Sequence, residues 1–378
     1  MKAITWCKRL LGFSGVWPLE IRDTLFLPLL FYGCIYIFLG ILDLIDYIND
    51  FQYVLTNIME NLLILMTLMK FGLCRLKHGS LSRFLTETEN DYNVDNYKTK
   101  EERLIFIKYN KFAYIFIITA FPSITFVILS YYCKTVIPGI INVMTNSTSE
   151  YKLPYKIKPL LKPYDAKTYA FGCIHEFLRI LIVISANSGT DCLLASTGFH
   201  LTGQLAILNC RAKEILKDVS QQGIHKIILR HHRLIRLADI LEDSFNIVIC
   251  QQLLGTTIQI CISSYQILSS LAVLEGIGIV IFGLHIFVLL STLFIYCYIG
   301  ECLIEESTNL CLALYHCDWY ELSMIDMKSI YICMIRSRKP LQLTCAKFCV
   351  VSLRTFTIVM KTSMAYLSVL RTFMETKL

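Results

Sequence analysis

The chain has 378 residues, of which 55% are hydrophobic and only 17% charged, with a formal net charge of +7. Together with a mean hydropathy of +0.55, that balance excludes a pair of water-soluble domains and points to a chain built for a bilayer. The positive charge does not imply nucleic acid as a partner, because the basic residues cluster in loops beside apolar runs and read as topology determinants on the cytoplasmic side.

The first 24 residues carry Lys2, Lys8, Arg9, Glu20, Arg22 and Asp23 and lack the apolar core and cleavage site of a secretory signal. They read as a cytoplasmic amphipathic N-terminus (1–24), with the first span as the targeting signal. Crossing the hydrocarbon core takes about 20 mostly apolar residues. Runs of that kind lie near 25–45, 54–74, 112–133, 169–193, 246–272, 276–299 and 349–372, which predicts an all-α membrane protein with seven transmembrane helices. Glu60, Asn61 and Lys70 interrupt the second run, and His175, Glu176 and Arg179 the fourth, so these groups are expected to face other helices or water.

Basic residues precede the first span and the following link carries Asp46 and Asp50, so the N-terminus is predicted to be cytoplasmic and the C-terminus external. The loop with Arg75, Lys77, Arg83, Lys98, Lys100 and Arg103 agrees, whereas the external loop 134–167 carries Lys134, Lys152, Lys156, Lys158 and Lys162. That loop also holds Asn146-Ser147-Thr148, a glycosylation acceptor at Asn146 usable only outside.

Between the fourth and fifth spans, Leu201, Leu205, Leu208, Ala212 and Ile215 recur at helical spacing, and Ile224, Ile227 and Ile228 resume the pattern. Residues 194–245 therefore read as a cytoplasmic helical extension of spans four and five. In 300–347, Leu310, Leu314, Met324, Ile325 and Ile332 predict further helices that anchor the chain beneath the membrane, because apolar faces outside a bilayer must pack against something. The units are thus 1–24, spans one to four (25–193), 194–245, spans five and six (246–299), 300–347 and a last helix (348–378).

The sixteen cysteines mostly fall in apolar runs, among them Cys250, Cys261, Cys297 and Cys349, and read as small hydrophobes rather than a disulfide framework. No close Cys or His doublets have metal-site spacing, and neither a metal nor a cofactor is expected. His225, His231, His232 and Asp239 share one stretch, but their spacing matches no catalytic motif, and the neighbouring arginines make it a solvated helix face. No enzymatic activity is expected.

The last forty residues hold Pro340, Leu343-Thr344-Cys345-Ala346-Lys347-Phe348, Ser352-Leu353, Thr355-Phe356, Lys361-Thr362-Ser363, Tyr366 and Val369-Leu370. This pattern resembles the C-terminal signature of insect odorant receptors. Gly189-Thr190-Asp191, His200, Gln204 and Leu208 resemble the family's fourth-helix exit, Tyr315, Cys317 and Trp319 the segment before its last helix, and Gly15, Val16, Trp17 and Pro18 its N-terminal pattern. Two positions depart: Cys345-Ala346 replaces the usual small pair, and Ala365-Tyr366 stands where gustatory receptors have Thr-Tyr, which favours an odorant over a gustatory receptor. A G-protein-coupled receptor is disfavoured by the charge bias and by the lack of Asp-Arg-Tyr-like and Asn-Pro-x-x-Tyr motifs.

The resemblance implies a tetrameric, ligand-gated, non-selective cation channel of the plasma membrane. In it four last helices surround the pore, and an odour-tuned subunit works with a common co-receptor subunit. On the last helix Ser352, Thr355, Val359, Thr362, Tyr366, Val369 and Phe373 form one stripe. Its hydroxyls suit a water-filled path, Val369 and Phe373 suit an apolar constriction, and by resemblance Val369 sits at the family's gate. Lys361 lies mid-span, and four such charges would oppose cations, so a homotetramer is expected to conduct poorly. A volatile odorant needs an enclosed, mostly apolar cavity with few polar anchors. By resemblance this lies in the external halves of spans two, three, four and six. Asn57, Asn61, Phe121, Thr125, Ile128, Phe171, His175, Leu178, Ile279, Phe282 and His285 are nominated to line it, whereas Glu60 and Arg179 are expected to pair with each other, and Asp191 and His200 to fix the cytoplasmic helices. The remaining partner expected is membrane lipid.

Overall fold

A computed structural model describes residues 2–145, 151–215, 221–272, 274–316 and 319–375; the glycosylation acceptor Asn146 lies outside the described residues. The order is α1 (Lys2–Phe13), a hairpin of β1 (Val16–Trp17) and β2 (Glu20–Ile21), then α2 (Asp23–Asp46), α3 (Phe51–Leu76), α4 (His78–Thr88) and α5 (Lys100–Met144). After a long link come α6 (Ala166–Ile182), a π turn over Val183–Asn187, α7 (Ser188–Ile215), α8 (Gln221–Ala272), α9 (Gly276–Tyr315), α10 (Met324–Ser337), a hairpin of β3 (Thr344–Cys345) and β4 (Cys349–Val350), and α11 (Leu353–Glu375).

Six helical stretches among the described residues are long and apolar enough to cross a membrane: Asp23–Asp46, Phe51–Leu76, Lys100–Met144, Ala166–Lys213, Gly223–Ala272 and Gly276–Tyr315. They coincide with the first six apolar runs. The seventh, α11, has the length at 23 residues but carries Arg354, Lys361 and Arg371, so it is less apolar than the rest. At 1.5 Å per residue, the 52-residue α8 and 40-residue α9 measure about 78 and 60 Å, well beyond a hydrocarbon core of about 30 Å. Their surplus projects from the end of the bundle that carries α1 and α10, here called basal; the opposite end is distal.

The projecting parts of α5, α7, α8 and α9 form a core with α1 and α4 that includes Leu11, Trp17, Phe84, Leu201, Leu234, Leu237 and Leu310. Within the bundle the logic inverts. On α6 Tyr169, Cys173, Glu176 and Arg179 are buried at spacings of three and four, joined by Ile180 and Ile182 at its end, while Phe171, Ile174 and Leu178 face outward. Apolar side chains cost nothing against lipid, whereas ionic groups need protein partners.

One sequence expectation is corrected. Residues 349–350 are not the start of the last helix: Cys349 pairs with Cys345 across a tight hairpin, and α11 starts at Leu353. The turn needs left-handed backbone at Ala346 (φ 46°) and Lys347 (φ 67°), a conformation that neither residue advertises. Val351, next to this elbow, lies against Gly300 of α9, where a Cβ would come 2.2 Å from the Val351 carbonyl oxygen. Only glycine admits so close a backbone approach.

Candidate functional site

The distal end is built around ionic groups that a bilayer would not tolerate alone. The Arg179 guanidinium lies 3.9 Å from the centre of the Tyr155 ring and 4.9 Å from that of Tyr36, and its Nη2 donates to the Glu60 carbonyl oxygen at 2.6 Å. The expected meeting of Glu60 and Arg179 is therefore made through Glu60's backbone. The Glu60 carboxylate instead accepts from the Tyr131 hydroxyl and, at 2.6 Å, from the Lys156 amide, and Glu176 accepts from the Tyr155 amide at 3.1 Å. Asn57 donates to the Lys156 carbonyl at 2.9 Å and to Asp43 at 3.1 Å, while Lys158 reaches Asp46 at 2.7 Å. The segment around Tyr155–Lys158 is thereby stitched as a cover over α2, α3, α5 and α6.

Beneath that cover lie two apolar clusters, one with Tyr36, Ile64, Ile128 and Ile180, the other with Leu55, Met59, Ile262, Tyr265 and Phe282. Tyr131 packs on both, its ring centre 6.2 Å from Phe282 and 5.7 Å from Tyr155. Leu367 of α11 packs on the second cluster, so the distal clusters touch the last helix.

The nominated residues are divided by this geometry. Ile128 and Phe282 are buried in the clusters. His285 places Nδ1 3.0 Å from the Ser263 hydroxyl, and Ile279 and Thr125 are half-buried, the latter donating to the Phe121 carbonyl of its own helix. The His175 ring packs against Tyr32 and Tyr36, with centres 5.3 and 6.0 Å apart. With Phe171 it borders a cleft of about 10 Å³, room for about one water molecule. Asn57 is committed to the cover, and Asn61 donates to Asn57 at 2.8 and 3.0 Å in the space left by Gly40. Phe121 does not join them but packs near Trp6 of α1, at 6.4 Å, and Phe171 and Leu178 are each 49% exposed on the outer surface.

Sequence reasoning did not single out Tyr36, Tyr131 or Tyr155. The available signal was indirect: Glu60, Glu176 and Arg179 in apolar runs demand hydroxyl or aromatic neighbours, and tyrosine supplies both.

Towards the basal end, Lys70 is fully buried and donates to Asp191 at 2.5 Å and Asn187 at 2.7 Å, while the Tyr296 hydroxyl donates to Asp191 at 2.6 Å. This ties α3, the π turn, α7 and α9, and such turns recur at functional positions. Farther down, Asp91 accepts from both terminal nitrogens of Arg233 at 3.0 and 2.8 Å, and His200 lies 3.6 Å from it, stacked on Tyr92 at 4.4 Å. Burial alone would raise the Asp91 pKa, but the two hydrogen bonds and the charge of Arg233, with His200 beside it, hold it down at about 2.

On α11, Val359 and Ser363 are buried against the rest of the chain, and Thr355 and Thr362 are half-buried. Ile358, Met364, Tyr366 and Val369 are exposed, as is Lys361, which has no ion pair among the described residues. Ser352 lies just ahead of the first turn, where its carbonyl accepts from the Phe356 amide; the side chain of Phe373 lies outside the described residues. The predicted stripe thus runs along the border between the buried and exposed faces.

A sequence profile described as 7tm Odorant receptor matches residues 50–364. Odorant receptor 13a of Drosophila melanogaster is 28% identical over 244 residues, covering 58% of this chain and 57% of that receptor, so the match spans little more than half of that relative's length. Odorant receptor 10a of the same species is 22% identical over 297 residues, covering 74% of this chain and 71% of the relative. The odorant receptor coreceptor of Aedes aegypti is 28% identical over 141 residues, covering 37% and 29%. In three dimensions the chain resembles the insect olfactory receptor OR5 from Machilis hrabei solved in complex with eugenol, with a TM-score of 0.82 at 16% identity over 98% of this chain and 99% of that one. Against the structure of OR5 whose description names no ligand, the TM-score is 0.77 at 17% identity, over 98% and 97%. The fold is the same.

Proposed function

Because the chain belongs to the 7tm odorant receptor family, a family of multi-pass membrane receptors and not of enzymes, we propose that it is the odour-tuned subunit of a ligand-gated, non-selective cation channel. In this reading it assembles with a co-receptor subunit into a heterotetramer of the plasma membrane, with its N-terminus cytoplasmic, its C-terminus external and α11 bordering the pore. The ligand is a small volatile molecule, a reading that the eugenol complex of the structural relative supports, and its proposed seat is the distal end, where the two apolar clusters lie. Ile128, Ile279 and Phe282 supply apolar wall, and His285 and Asn61 the polar anchors.

The observation that carries this reading is the contact between Leu367 and the cluster of Leu55, Met59, Tyr265 and Phe282. Leu367 is two residues from Val369, the proposed gate, so a ligand seated on Phe282 reaches the gate through one layer of side chains. A ligand opens the channel only to the extent that it prefers the open arrangement. Seating of Phe282 that differs between the two states provides that preference, and displacing Leu367 withdraws Val369 from the axis.

The test is to record currents from cells expressing this chain with and without a co-receptor against an odour panel. Odour-evoked cation current is expected only in the pair, and strong current from this subunit alone would refute the subunit assignment. Leu367→Ala in the pair should leave surface expression intact and shift the odour concentration for half-maximal current by tenfold or more, since about 1.4 kcal/mol of lost coupling is a factor of ten.

A further inference from the structure

At the basal end a cavity of about 700 Å³ opens between the start of α5, the end of α7 and the start of α8, a size suited to a small molecule. Its ionic lining is lopsided, with Lys98, Arg211, Lys226, Arg230 and Arg233 facing Glu102. That carboxylate is already engaged by Arg211, at 2.5 and 3.0 Å, and by the Lys98 amide at 3.0 Å. Arg233 is engaged by Asp91. Arg230 has no carboxylate partner among the described residues. Its Nη2 donates at 2.6 Å to Gln204, a neutral acceptor, and its Nε is buried with no hydrogen-bond partner among the described residues. Lys98 and Lys226 are exposed at the rim and form no ion pair among the described residues.

A guanidinium taken out of water without a counter-charge is costly, and a concave site with surplus positive charge concentrates anions. The other two arginines show what the site favours, since each is held by a carboxylate through two oxygens, the geometry a phosphate group also offers. We propose that this cavity binds a multiply charged phosphate anion, whose oxygens complete Arg230 while Lys98 and Lys226 close over it. A soluble inositol phosphate and the headgroup of a phosphoinositide share this chemistry. Bound there, the anion would tie α8 to α5 and α7. Because Glu242 of α8 holds Thr344 of the elbow before α11, occupancy would stiffen the base on which the last helix stands. The inference takes from the proposed function only that the basal end is cytoplasmic.

The test uses the purified full-length chain, alone and with a co-receptor, and reads binding rather than current, so failure to gate and failure to bind are separable. Inositol 1,4,5-trisphosphate is titrated in solution, and phosphatidylcholine vesicles with and without phosphatidylinositol 4,5-bisphosphate are tested by flotation. Saturable binding that weakens with salt is expected. Arg230→Gln should weaken it roughly tenfold or more, as the loss of a charge-assisted bond does. Lys226→Gln, at an exposed position with little bearing on folding, should weaken it less, and Lys226→Arg should restore it. Preference for the free headgroup or for the vesicle assigns the source. Absence of saturable binding to either probe, affinity unchanged in Arg230→Gln and Lys226→Gln, or crosslinking from position 226 into an acidic segment of the neighbouring subunit would each overturn the proposal.

Discussion

Arg179 is 2% exposed, within the electrostatic reach of Glu60 and Glu176 and sandwiched by two tyrosine rings. A flat, delocalised guanidinium can stack and donate in plane at the same time, which an ammonium cannot. Arg179→Met removes a buried cation that acts on both Glu60 and Glu176 and should destabilise the receptor by about 3 to 5 kcal/mol, read as a lower thermal midpoint in detergent and reduced surface delivery. Arg179→Lys keeps the charge, loses the stacking and should fall in between. Asp91 makes a second, pH-dependent case. Its folded pKa of about 2 lies below the usual carboxylate value of 3.8, so its contribution is complete above about pH 4 and is lost as pH falls towards 2. The shift corresponds to about 2 kcal/mol. Replacing Arg233 with Gln should remove much of that contribution at neutral pH and flatten the loss of stability between pH 4 and 2, measured as thermal midpoint against pH; an unchanged profile would exclude the pairing.

At the scale of elements, much was legible in the residues and some was not. Six spans could be placed because twenty apolar residues in a row have few other uses, and the continuation of α7 and α8 followed from apolar positions that kept helical spacing beyond the fourth and fifth runs, whereas 300–347 was read as separate helices although α9 runs unbroken to Tyr315. The pocket was harder. Phe171 and Leu178 were nominated because the resemblance places a pocket in the external halves of the spans, but on α6 both face outward and the interior takes Glu176 and Arg179. The elbow before α11 was hidden for another reason: its left-handed residues are Ala346 and Lys347, and no glycine or asparagine marks the turn. Gly300 is the counterpart on α9. Gly300→Ala would drive a methyl group into the Val351 carbonyl, an overpacking that costs about 1 to 3 kcal/mol. Because the atom opposed is backbone, relief must come from moving the start of α11. The expected outcome is altered basal or odour-evoked current at near-normal surface level, and wild-type currents would show that the elbow does not set the pore.

Over the whole molecule, the unpartnered surfaces say where other chains belong. On α10, Met324, Ile325, Tyr331, Ile332 and Ile335 are 52 to 70% exposed, although the helix lies at the basal end, beyond the part of α9 that crosses the membrane. Isolated apolar residues on a surface need no explanation, but a continuous helical face of them marks an interface. The outer face of α11, with Ile358, Met364 and Val369, is also uncovered. Both faces belong to the polypeptide from residue 324 to 375 and flank the same elbow, which fits subunits meeting beneath the membrane and around a shared axis. If α10 makes that contact, Ile332→Glu puts an unpaired carboxylate where a neighbour must desolvate it, a change that at the centre of an interface costs 2 kcal/mol or more by order of magnitude. Since Ile332 touches little in its own subunit, the chain should still fold and reach the detergent-soluble fraction, yet co-purify poorly with a tagged co-receptor. Ile332→Leu should assemble normally. If four copies of this chain surrounded one axis, their Lys361 side chains would repel cations and one another, whereas a partner that lacks the charge would dilute it. Lys361→Gln should therefore raise whatever small current the chain carries alone and change the current of the pair much less.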